Sequence, residues 1–156
     1  MNTEVQSIIK ELKNIHEGEP WYGKPVIPLL EEVDDVKARL KPSQTAHSAT
    51  ELLYHMVTWS EFTLKRIEGN READQDIVEK LDWRQIDPAI HTWKKGLSDF
   101  KTIHNKIIKL LEKKSDDFLS EKVDYRNYNF RFLLNGLIQH NIYHAGQIAY
   151  ISKLLK

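Results

Sequence analysis

The chain has 156 residues, 40% hydrophobic and 29% charged, with 23 basic and 23 acidic side chains and therefore a formal net charge of zero. The length suits one domain, residues 1–156, around one sizeable core, and the apolar content is too high for a disordered chain. Zero net charge argues against nucleic acid as a partner, and the absence of cysteine excludes disulfides, thiolate metal ligands and a cysteine nucleophile.

Four long segments show helical periodicity and none shows sustained strand alternation. The first runs from Thr3 to Glu17, with Val5, Ile8, Ile9, Leu12 and Ile15 at three- and four-residue steps and Gly18 and Pro20 as its stop. This opening segment reads as a charged amphipathic helix, not a leader peptide. No stretch reaches the roughly 20 apolar residues of a bilayer span. With the cysteine-free composition, this predicts a cytoplasmic protein with no membrane partner. Short helices are expected around Ile27–Val33 and Val36–Leu40.

The second long helix starts after Ser48, because Ser48-Ala-Thr-Glu51 has the form of a capping box. Leu52, His55, Met56, Trp59 and Phe62 form its apolar stripe, and Gly69-Asn70 closes it. The third is expected to begin at Asp87-Pro88, with proline at the first helical position. Its stripe is Ile90, Trp93, Leu97, Phe100, His104, Ile107 and Leu111. The fourth begins after Asn127 or Asn129, with Leu133, Leu137, His140, His144, Ile148, Ile151 and Leu155 on one face. The connections after the first and second long helices are roughly 30 and 17 residues, long enough for crossovers. The expected fold is all-α, a four-helix bundle with long crossover connections.

His140 and His144 lie one turn apart on the same face, inside an apolar stripe. His55 holds the equivalent place on the second helix. If those helices face each other, three imidazoles converge and form a tripod for a divalent metal with at least one open coordination position. The absence of thiolates favours Zn, Ni, Fe, Mn or Co over Cu(I), and the expected metal is Zn or Ni before Fe, Mn or Co. The same pattern also admits three hydrogen-bonded core histidines in a plain helical dimerisation module. His104 is a further candidate to brace or extend the site. Gln147, Tyr143 and Trp59 are candidates to line a pocket or support the ligands, with plain packing as the alternative. His47 reads as a cap or rim residue, and His16 and His91 as surface or helix-end residues.

The segment Gly136-Leu-Ile-Gln-His140-Asn-Ile-Tyr-His144-Ala-Gly-Gln147-Ile resembles the C-terminal signature of the DinB-like (DinB/YfiT) superfamily. His47-Ser-Ala-Thr-Glu-Leu-Leu-Tyr-His55-Met-Val-Thr-Trp59 resembles its second helix, and Pro20-Trp-Tyr-Gly23 and Asp82-Trp83 resemble its connecting segments. The resemblance implies a four-helix bundle of crossed topology, commonly a homodimer, with a divalent metal on His55, His140 and His144. Characterised relatives include thiol-dependent S-transferases, such as bacillithiol transferases, and a mycothiol-dependent maleylpyruvate isomerase. The expected activity is thus thiol transfer with a small-molecule thiol as cosubstrate. Metal-dependent hydrolysis and a non-catalytic, stress-related metal-binding dimer remain open beside it.

Overall fold

The computed structural model describes residues 2–72 and 74–156. Among them the chain is all-helical: α1 (Thr3–Glu17), α2 (Val26–Glu31), α3 (Asp35–Ala38), α4 (Ala49–Ile67), α5 (Gln75–Asp82), α6 (Trp93–Leu111), a 3-10 turn (Asp116–Ser120) and α7 (Phe130–Leu154). An isolated antiparallel bridge joins Lys122 to Asn129. No helix among the described residues is long and apolar enough to cross a membrane.

The four long helices of the sequence reading are α1, α4, α6 and α7. α4 packs on both α6 and α7, while α1 packs on α6 and α7 from the other side. Ser48 caps α4 as expected: its hydroxyl accepts from Glu51 N at 3.1 Å, and the Glu51 carboxylate accepts from Ser48 N at 2.7 Å. Asn129 caps α7, accepting from Phe132 N. α1 has no cap of its own. Asp116, far along the chain, accepts from Val5 N at 2.8 Å and Glu4 N at 3.2 Å, and these bonds hold its carboxyl below the usual range. α4 and α6 approach closely at Gly96, where a Cβ would stand 2.9 Å from Leu53 Cδ2 and 3.0 Å from the Tyr54 ring.

Two expectations need correction. α6 does not start at Asp87-Pro88. Those residues form a closed turn, in which Ile90 N and His91 N bond Asp87 O and the His91 ring takes Asp87 N. The chain then extends at Thr92, which caps α6 by accepting from Lys95 N. Ile90 is consequently exposed and not part of the stripe. The connection between the second and third long helices contains α5. His16 lies in the last turn of α1, as a helix-end residue would, but it is not at the surface. It is 3% exposed, because it follows Leu12 by one turn and continues the inward face of α1 against Phe100 and His104.

A candidate metal centre

α4 contributes His55, and α7 contributes His140 and His144 one turn apart. His55 Nε2 lies 3.0 Å from His144 Nε2 and 2.9 Å from His140 Nε2. One ligand atom from each of the three rings falls within 4.8 Å of the other two. His55 and His144 are buried and His140 is half-buried.

The far nitrogens of two rings have acceptors behind them. Gln147 Oε1 is 2.6 Å from His144 Nδ1. Asp82 Oδ1 is 2.6 Å from His55 Nδ1, a short contact that is not well aligned with the ring N–H, and the same oxygen accepts from Trp59 Nε1 at 2.8 Å. An oxygen behind Nδ1 keeps the proton there and leaves Nε2 as a bare lone pair. His140 Nδ1 is buried without a partner.

The rings are held neutral. Burial pushes His140 down to about 3, with His144 and His55 beside it adding to the effect. Burial also lowers His55 against the opposing pull of Asp82, and lowers His144 against that of Gln147. Neutral rings whose Nε2 atoms stand 2.9–3.0 Å apart need a shared proton or a metal cation between them, and three neutral imidazoles are a donor set that fits a divalent cation. Two of the three spacings match as well, at 2.9 and 3.0 Å: two nitrogens each roughly 2.0–2.1 Å from one zinc lie about 2.9–3.4 Å apart at angles of about 90–110°.

Aromatic rings cover the cluster. Trp83, just past α5, stacks between His47 and His55 with ring centroids 3.9 Å apart on both sides. The exposed Tyr143 presents an edge-on contact to His144 at 4.9 Å. His47 therefore stands at the rim, beside Glu51. Gln147 and Trp59 each touch a group of the cluster or its support.

His104 is placed elsewhere. Its ring nitrogen is 2.8 Å from Ser60 Oγ and 3.3 Å from Asn141 Nδ2, and its ring packs on His16 and Phe100. Asn141 also reaches His16 Nε2, at 3.2 Å, so a second polar group of two neutral histidines lies in the core. Asp82 is the supporting residue that residue spacing did not reveal. Its only signal was the resemblance of the Asp82-Trp83 segment, since a carboxylate in a connection has no periodicity to place it.

A family model described as the DinB superfamily matches residues 26–148. The match spans α2 to most of α7 and includes all three clustered histidines, Asp82 and Gln147. No curated protein matches the chain. The matched segment is most of the sequence, and the chain belongs to the DinB superfamily.

Proposed function

We propose that this protein is a metal-dependent, thiol-using S-transferase built on a four-helix bundle, with His55, His140 and His144 holding one divalent transition metal, Zn or Ni first. The observation that carries the reading is the convergence of three Nε2 atoms, on two rings of which Asp82 and Gln147 stand behind the opposite nitrogen. When bound there, such a metal supplies Lewis acidity that lowers the pKa of a thiol.

The chain's own residues do the rest. Gln147 fixes the tautomer of His144, the Asp82 carboxylate favours a proton on Nδ1 of His55, and Trp83 and Tyr143 shield two of the rings from water. With no cysteine in the sequence, the thiol comes from a small molecule. Hydrolysis is the weaker reading, because Asp82, a carboxylate that touches the cluster, stands behind His55 Nδ1 and not on the Nε2 side where a general base would meet a bound water. A reducing cytoplasm suits both the thiol and the cysteine-free chain.

The same reading includes a homodimer across the outer face of α7. Tyr143, Tyr150 and Leu154 are exposed there on one stripe, and no Lys, Arg, Asp or Glu occurs between Arg131 and Lys153. Tyr150→Glu is expected to halve the mass measured by sedimentation. A monomeric wild type removes the dimer.

Elemental analysis of the untagged protein tests the centre, comparing wild type with His55→Ala. Near one metal per chain, lost in the variant, supports the tripod. Turnover of a panel of thiols and electrophiles by the loaded protein, absent from the metal-free protein and the variant, supports transfer. A wild type that stays metal-free after reconstitution overturns the reading.

A further inference from the structure

We infer that the groove along α7 from Phe132 to His140 seats an uncharged apolar group, an aryl ring or a short branched alkyl chain, of the molecule that reacts at the histidine cluster. The reacting end of this inference rests on the metal-centre reading; the selectivity rests on the groove alone.

The groove has a volume of about 170 Å³, and an apolar cavity of about 150 Å³ is enough for one benzene ring. Its walls are Trp59, Tyr128, Phe132 and Leu137, and no charged side chain lines it. Phe132 is 65% exposed, so an aromatic ring stands in water at the groove. At the other end the lining residue is His140, whose Nε2 is 2.9 Å from that of His55. A ligand lying in the groove therefore adjoins the cluster.

Two further features tie the groove to the site. The Trp59 indole is fixed by its bond to Asp82 Oδ1, the oxygen that also stands behind His55 Nδ1. One carboxylate thus sets both a groove wall and a ring of the cluster. Gly136, one turn before His140, lines the groove, and a Cβ placed on it would meet nothing within 4 Å. Close helix packing does not account for this glycine, and glycine is disfavoured in a helix interior. What its missing side chain leaves open is the groove. A carboxylate or ammonium group placed there would lose water and gain no charged partner, so the groove selects against charged groups.

The test uses full-length protein and three probes of one shape: benzyl alcohol, benzoate and benzylamine, titrated by saturation-transfer NMR. Benzyl alcohol is expected to bind at least about tenfold more tightly than either charged probe. Gly136→Leu, whose side chain enters the groove, is expected to weaken benzyl alcohol by at least about tenfold. Its helicity by circular dichroism and its metal content per chain should match wild type, and Gly136→Ala should retain binding. Equal binding of the three probes overturns the inference, as does unchanged binding by the leucine variant. So does a change of sedimentation mass in that variant when wild type binds no probe, because a second copy of the chain then fills the groove. A wild type that takes up no metal yet binds benzyl alcohol, with binding lost in Gly136→Leu, supports the groove and removes only the metal-centre reading.

Discussion

The indole of Trp83 lies flat on the imidazole of His55, centroids 3.9 Å apart and planes 9° from parallel, with His47 stacked on its other face at 7°. A tryptophan from the end of α5 is thereby clamped over a histidine of α4. The stack excludes water from one side of His55 and fixes the ring plane on which the direction of Nε2 depends.

Trp83→Ala should therefore loosen the cluster more than the fold. Stacking of this kind contributes about 0.5–1.5 kcal/mol, so urea unfolding should register a loss of that size. Metal release to a chelator should accelerate at the same time. An unchanged release rate would show that the indole only covers the surface.

Asp82→Asn keeps the shape of the side chain and removes the charge behind His55 Nδ1. The ring's preference for a proton on Nδ1 weakens, and metal affinity should fall by roughly 10–100-fold, the usual effect of losing a group that orients a ligand. Competition against a chromophoric chelator measures it. Affinity within twofold of wild type would assign Asp82 to holding Trp59 alone.

Acid should destabilise the metal-free protein through His16. Burial pushes its pKa from 6.5 down to about 4. Between those values the unfolded chain takes up a proton that the folded chain refuses, so stability is full above about pH 6.5 and falls as pH drops toward 4. The loss from this one group is at most roughly 3 kcal/mol. His104, also lowered by burial, acts in the same direction. Urea titrations at pH 7.5 and 4.5 should show a smaller acid loss in His16→Leu than in wild type. Equal losses would place the acid sensitivity elsewhere.

Ser48→Ala removes the hydroxyl half of the capping box on α4. Loss of a cap of this kind costs about 1 kcal/mol, which chemical denaturation resolves. The variant should bind metal as wild type does, since His55 lies two turns into the helix.

Much of this molecule is legible in the sequence because it is local. The boundaries of α1, the capping box of α4, a start of α7 at Asn127 or Asn129 and the one-turn spacing of His140 and His144 follow from hydrogen bonds and helical periodicity within a few residues. The start of α6 departs from its sequence signals, although those are local too. Asp87-Pro88 does begin a helical turn, but the His91 ring closes that turn on itself and Thr92 begins another.

The candidate centre divides along the same line. Sequence named His55, His140 and His144, since each falls on an apolar stripe where an imidazole needs a partner. Only the packing of α4 on α7 decided that the three Nε2 atoms meet. Only the fold of the connection brought Asp82 and Trp83 from α5 onto His55, and carried His104 to Ser60, Asn141 and a buried His16. These are contacts between residues far apart in the chain, and periodicity assigns a residue to a face of a helix without saying which other face it will meet.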